Sequence, residues 1–416
     1  MARKFRTKEW AVLMYIAHDN DLAPFTQAKT GEIKSVGSTA AADVITQVDT
    51  PDQPLILRKR ESKGRSYPLP NPEKNPNFGD KRTLKRFIEL TLTDFQPRRS
   101  MLVISTHGTG FTIITDDSAR RERSSPGHAD HNGHGAEDHD NDPRTRAEVT
   151  LDNVELKEAL MAAVEQRGPF DLIVFDACLM NTIEVAYQIR EAGRFMVGSQ
   201  SNIPVPGCRF SPTFEIMRDE TISTADVARA LVDNGMITQL IQDECSAMAA
   251  LDLGQADALA KAISELAKAL IKALGNRKAL DAITLAHLGA LAFIDSETVD
   301  LFDFCRRLVG AVDDQDVRAA ATGVMFAVGS FVIRSNPRGS VVEGARGISI
   351  TLPRSNILPP DYDKLDFAEE TQWIAFLKAY LGKAFGERAG EIEPEPEPEH
   401  EPEHQHQHEP ALAAAG

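Results

Sequence analysis

The 416-residue chain has only four cysteines, Cys178, Cys208, Cys245 and Cys305, too few and too scattered for a disulfide scaffold. None belongs to a C-x-x-C pair, which argues against a zinc ribbon. No stretch approaches the roughly 18 consecutive apolar residues of a membrane-spanning helix, so no membrane partner is expected. Basic charge is also scarce: 46 Lys and Arg against 62 Asp and Glu leave a net charge of −16. A nucleic-acid binder that works by counterion release needs a basic face, and no long basic run follows the short Lys/Arg-rich start. Half of the negative charge sits in eight Glu of residues 391–416, so the body is only mildly acidic.

Ordinary globular composition, 42% hydrophobic and 26% charged, fills the rest, at a length that suits about two to three domains. The basic start leads into the apolar run Trp10–Ala17, which ends in His18-Asp19-Asn20-Asp21 rather than a small-residue cleavage site. It reads as a buried strand, not a signal peptide, and a cytoplasmic, reduced-thiol protein is the default expectation. Met101–Thr106 and Leu172–Asp176 are similar short apolar runs, and Ala42–Asp49 is a further candidate. Runs without polar alternation suit a parallel sheet covered on both faces. Helical patterns over Lys81–Phe95, Asp152–Gln166 and Asn181–Ala192 lie between them, so the expected architecture is an α/β sandwich. After about residue 221 the chain turns helix-rich over Thr224–Gln242, Gly254–Leu274 and Thr298–Val312. It returns to a strand at Gly344–Pro353 and closes with a helix at Thr371–Leu381. Asp116–Glu148 is a long polar loop, and Glu391–Gly416 is a low-complexity Glu/Pro/His tail.

Two strand ends carry candidate chemistry: Val103-Ile-Ser-Thr-His107-Gly108 and Leu172-Ile-Val-Phe-Asp176-Ala-Cys178. Ligands of parallel α/β sheets bind outside the carboxyl ends of the strands, which places His107 and Cys178 on one rim. A cysteine becomes a nucleophile beside a base or a positive charge, and imidazole supplies either. Each residue alone reads as structural, a buried small hydrophobe or a satisfied histidine; the pair is what suggests catalysis. Gly108, lacking a Cβ, lets the backbone approach a substrate carbonyl, and its N–H can face an oxyanion, with the Cys178 N–H at the start of the following helix as second donor. Asp176 either holds a basic substrate side chain or caps that helix. Asp19, Asn20 and Asp21 read as caps of the helix after the first strand.

At this point the sequence resembles the clostripain-like cysteine peptidases, relatives of caspases, gingipains and legumains. The resemblance rests on His107-Gly108 and on Asp176-Ala-Cys-Leu-Met-Asn-Thr-Ile-Glu184-Val-Ala-Tyr187. Trp10 through Asp19-Asn20-Asp21-Leu22 resembles the family's opening strand, and Gly198-Ser199-Gln200 with Pro204 and Gly207 its substrate loop. Val299-Asp300-Leu301, Arg346-Gly-Ile-Ser-Ile350, Trp373 and Phe376-Leu377 resemble its C-terminal landmarks. The resemblance implies a three-layer αβα sandwich with a mostly parallel caspase-like sheet over residues 1–220, a helical subdomain at 221–385 and a disordered tail at 386–416. It implies an endopeptidase acting on protein or peptide substrates, with Cys178 as nucleophile and His107 as general acid/base. The Gly108 and Cys178 amides would form the oxyanion hole, Asp176 would face an Arg or Lys at P1, and Ser199 and Gln200 would line the substrate site.

This chain departs from the family at Ser201-Asn202-Ile203, where relatives tend to carry acidic residues, so a second specificity carboxylate is not visible. The family also commonly matures by cleavage between its His and Cys, and Asp116–Glu148 offers Arg120, Arg121, Arg123, Arg144 and Arg146 there. Calcium is the one cofactor that the resemblance brings, and no EF-hand-like loop locates a site for it. His128, His131, His134 and His139, and the tail's His400, His404, His406 and His408, lack metal-ligand spacing and read as solvated. Two other readings stand beside the peptidase: an idle caspase-like interaction module, and a metal buffer using the histidines.

Overall fold

The computed structural model describes residues 5–51, 53, 55–74, 76–114, 150–235, 245–293 and 297–386. The polar loop 116–148 with its arginines and histidines, and the 391–416 tail, lie outside the described residues. Nine strands form the main sheet: β1 (Trp10–Ala17), β2 (Ala42–Asp49), β3 (Arg58–Ser62), β4 (Arg65–Pro68), β5 (Arg99–Ser105), β6 (Phe170–Asp176), β7 (Gly193–Ser199), β8 (Ser246–Asp252) and β9 (Val332–Arg338). Their spatial order is β9-β8-β7-β6-β5-β1-β2-β3-β4. The central strands β7-β6-β5-β1-β2 run parallel, and β8, β9, β3 and β4 are added antiparallel at the two sides.

β1, β2 and β6 are buried along their whole length, and β5 and β7 over their C-terminal parts, because alternate side chains feed two different cores. Ala11, Leu13 and Tyr15 of β1 point with Leu102, Ile104, Ile173 and Phe175 into one; Trp10, Val12, Met14 and Ile16 point with Met101, Val103, Leu172 and Val174 into the other. On the first face lie α2 (Lys81–Phe95), α3 (Asn153–Arg167) and α4 (Ile183–Gln188), followed later in the chain by α6 (Ala256–Ala273), α7 (Arg277–Gly289), α8 (Leu301–Ala311), α9 (Gln315–Phe331) and α10 (Trp373–Phe385). On the second lie α1 (Thr26–Val36) and α5 (Thr224–Asn234). The fold is the expected three-layer αβα sandwich.

The helix-rich second half is more entangled with the sheet than its composition suggests. β8 and β9 extend the main sheet beyond β7, and the first core runs without a break from Ala11 to Leu381. Gly344–Pro353 contributes only the short strand Ser349–Thr351, paired with Thr298–Asp300 in a small separate sheet. The expected helix Asn181–Ala192 is shorter. It spans Ile183–Gln188 with Thr182 as N-cap, whose Oγ1 accepts from the Val185 N–H at 3.2 Å.

Asn181 is displaced from the helix by work of its own. Fully buried, its Nδ2 donates to the carbonyls of Gly198, Ala249 and Gly347 at 3.1, 3.2 and 3.3 Å, tying the segment after β6 to β7, β8 and the loop before Ser349. Asn181→Ala strips all three acceptors of a donor in a place water does not reach, and is expected to lower unfolding free energy by about 2–4 kcal/mol in chemical denaturation.

Candidate active site

Strand register builds the site. In the parallel pairs, Ser105 of β5 lies opposite Asp176 of β6 and opposite Ile16 of β1. His107 and Cys178 each follow two residues later, and so does His18. Adjacent parallel strands that end level thus deliver the imidazole and the thiol to one rim, and both line a cleft of about 90 Å³ with Ile203, Val205, Pro206 and Gly207 opposite. The two catalytic candidates named from the sequence are brought together.

His107 opens a short strand, His107–Gly108, paired with Thr112–Ile114. Its Nε2 meets Asp21 Oδ1 at 2.5 Å, with the ring 35% and the carboxylate 82% exposed. Asp21 therefore orients the ring rather than capping a helix, as do neither Asp19 nor Asn20: α1 has no side-chain N-cap, and the Asn20 Oδ1 accepts from the Leu22 N–H at 2.9 Å within its own turn. The Asp21 contact spans 86 residues, a distance over which local sequence carries no signal.

Cys178 sits in the turn after β6 rather than at a helix start, since α4 begins only at Ile183. Its N–H therefore does not head a helix and lies within that turn. Leu179 adopts φ 64°, a left-handed conformation rare for a branched side chain, and its N–H donates to the Ser201 carbonyl at 3.2 Å. The Cys178 Sγ accepts from the Ile203 N–H at 3.3 Å. Burial raises the thiol above its ordinary value; the Ile203 N–H works against this, and the Asp176 charge adds to it. A thiol so placed rests protonated and needs a base to become nucleophilic. Gly108 packs directly on the nucleophile's backbone: a Cβ there would lie 2.5 Å from the Cys178 carbonyl oxygen. No other residue fits without moving the turn.

Asp176 is placed at the cleft but not open to it. Its Oδ1 accepts from the Cys208 N–H at 2.7 Å, its Oδ2 accepts from the Ser105 hydroxyl at 2.8 Å, and the same Oδ2 is paired with the Lys29 ammonium of α1. Burial pushes its carboxyl up, but Lys29, with the Cys208 and Ser105 hydrogen bonds, outweighs this and holds it below the usual range. The helix-capping alternative fails, because Thr182 holds that position. His18 completes the polar floor, with Nδ1 2.8 Å from Thr26 Oγ1 and Nε2 3.4 Å from Ser105 Oγ. Burial lowers it to about 4, so it is neutral at physiological pH.

Ser199 and Gln200 lie behind the site, not on it. Ser199 Oγ accepts from the N–H groups of Ser201 and Ala247. Gln200 donates to Asp300 and Ser349 and accepts from the Gly347 N–H at 2.6 Å. Both are fully buried and neither lines the cleft, unlike their expected place: Ser199 braces the start of the 201–207 loop, while Gln200 ties the end of β7 to Asp300, Ser349 and Gly347. Lys29 and His18 are the residues that the sequence reading missed. Among the described residues no group of three His, Cys, Asp or Glu side chains converges as a metal site.

The raised thiol has a direct readout. In His107→Ala, alkylation of Cys178 by iodoacetamide, followed by mass spectrometry of its peptide, is expected to keep accelerating through pH 9, because only the thiolate reacts. A plateau reached below pH 8 contradicts this electrostatic picture.

The profile of the clostripain family matches residues 14–380. Clostripain of Hathewaya histolytica is 23% identical over 332 residues, which are 67% of this chain and 58% of that protein. The chain thus spans somewhat over half the length of the curated relative it matches. A secreted C11 cysteine protease from Bacteroides thetaiotaomicron, solved in complex with an irreversible peptide inhibitor, superposes with a TM-score of 0.59 at 18% identity, covering 89% of this chain and 99% of that one. An inactive zymogen C11 protease from Parabacteroides distasonis gives a TM-score of 0.61 at 18% identity, covering 88% and 99%. At such identities the solved structures establish a common fold, while the profile match runs from within β1 into α10. The chain belongs to the clostripain family of cysteine peptidases.

Proposed function

We propose that this protein is a cysteine endopeptidase in which Cys178 is the nucleophile and His107 the general acid/base. The observation that carries the reading is the level ending of β5 and β6, which puts both side chains on one cleft. His107 takes the Cys178 proton, and the Sγ attacks the scissile carbonyl carbon. Negative charge then develops on the carbonyl oxygen, facing the Gly108 and Cys178 amides. His107 returns the proton to the leaving amine, the C–N bond breaks, and water hydrolyses the thioester, with His107 again accepting its proton. Asp21 keeps the ring turned so that Nδ1 is left to serve the cleft.

The idle-module alternative has no observation in its favour. An interaction scaffold does not require a glycine pressed on a cysteine carbonyl or an imidazole oriented beside the thiol. The basic P1 preference implied by the family resemblance requires an Asp176 carboxylate that faces the substrate cation; in this chain Lys29 already supplies a cation. Maturation by cleavage within 116–148 remains part of the proposal, supported by the position of that segment between His107 and Cys178 and by the zymogen form of the Parabacteroides distasonis relative.

Cys178→Ala is expected to abolish peptide hydrolysis. His107→Ala should lower kcat by about 10²–10⁴-fold. Asp21→Ala, removing an exposed and solvent-screened partner, should cost only about two- to fivefold in kcat. On denaturing electrophoresis, wild-type protein should yield fragments that Cys178→Ala does not. Identical single bands exclude self-cleavage.

A further inference from the structure

The carboxylate nearest the nucleophile is fully engaged from inside the protein. Lys29 enters from α1 with its side chain 2% exposed, against 1% for Asp176. Its Nζ also donates to the Cys208 carbonyl at 2.6 Å and lies 4.9 Å from the centre of the Phe210 ring. The backbone closes over this pair at Gly207 (φ +85°): a Cβ there would stand 2.5 Å from Asp176 Oδ1 and 3.0 Å from Lys29 Nζ. Beside Cys178 the cleft has Leu22, Phe25, Ile203, Val205 and Pro206 as its apolar walls, above the polar floor of His18, Ser105 and Asp176.

A second cation brought to this floor would meet one carboxylate already shared among an ammonium, a hydroxyl and a backbone N–H. It would have to expel Lys29, or be buried next to it with one negative charge between two positive ones. An aliphatic side chain meets neither obstacle and finds apolar walls. We propose that Lys29 is a specificity-determining residue, a resident cation that fills the Asp176 subsite so that the cleft selects an uncharged aliphatic side chain before the scissile bond and rejects Arg and Lys. This rests on the peptidase reading given above and assigns its substrate class.

Four fluorogenic peptides identical except for Ala, Leu, Arg or Lys before the scissile bond test it, on wild type, Cys178→Ala, Lys29→Met and the double variant Lys29→Met/Asp176→Asn. Wild type should cleave the Ala or Leu peptide with kcat/KM at least tenfold above Arg and Lys. Lys29→Met, which leaves Asp176 without its cation, should raise kcat/KM for Arg and Lys at least tenfold. In the double variant, with no buried charge left unpaired, the ratio of basic to aliphatic kcat/KM should fall back to the wild-type level. Wild-type preference for Arg or Lys, or self-cleavage after an arginine of 116–148, overturns the inference and leaves the peptidase reading intact. So does a folded Lys29→Met that cleaves aliphatic peptides but gains nothing on basic ones. If Lys29→Met does not fold, the wild-type panel and the double variant still decide. Absence of any Cys178-dependent cleavage overturns the peptidase reading and the inference with it.

Discussion

Parallel pairing of β5 with β6 is the constraint on which the site depends. Its register sets Ser105 against Asp176 at the level ends of the two strands, and His107 and Cys178 each follow two residues later. Because both strands are buried on both faces, a slip by one residue would swap every side chain into the opposite core and break the packing of both. The hydrophobic cores therefore hold the catalytic geometry, although no core residue touches substrate. The segment after β6 is pinned in the same spirit, by Asn181 to three carbonyls and by Leu179 to Ser201.

Electrostatics at the rim form one coupled arrangement. A carboxylate beside a thiol opposes thiolate formation, and burial of the thiol opposes it further. Lys29 moderates the first effect by pairing with Asp176, while His18, kept neutral by burial, adds no second buried cation. In the proposed mechanism activation of Cys178 falls to His107, whose ring is paired with the exposed Asp21 carboxylate. The Asp176 charge is thus balanced inside the protein, and in that mechanism the proton moves between the two side chains that line the cleft.

The family likeness and the local chemistry speak to different levels of the molecule. Shared architecture explains why an αβα sandwich places a histidine and a cysteine at neighbouring strand ends. It says nothing about Lys29, which reaches the rim from α1, 147 positions before Asp176 in the chain. Selectivity within a common fold is decided by such visiting side chains, because the scaffold fixes only where the backbone goes.

Much of the fold was legible in the residues themselves. Trp10–Ala17, Ala42–Asp49 and Lys81–Phe95 have the expected bounds, since unbroken apolar runs and strong helical patterns are local signals. So were Cys178, His107 and Gly108, through their places just past apolar strands. Illegible were β8 and β9, whose membership in the sheet depends on partners far along the chain, and the shortened α4, where Asn181 trades helix formation for three tertiary hydrogen bonds. The buried places of Ser199 and Gln200, the Asp21–His107 contact and the Lys29–Asp176 pair were equally hidden. Local sequence marked several central strands and the candidate thiol and imidazole just past their ends. Only the tertiary structure decided what each polar group faces, because hydrogen bonds and ion pairs join atoms by distance in space and not by separation along the chain.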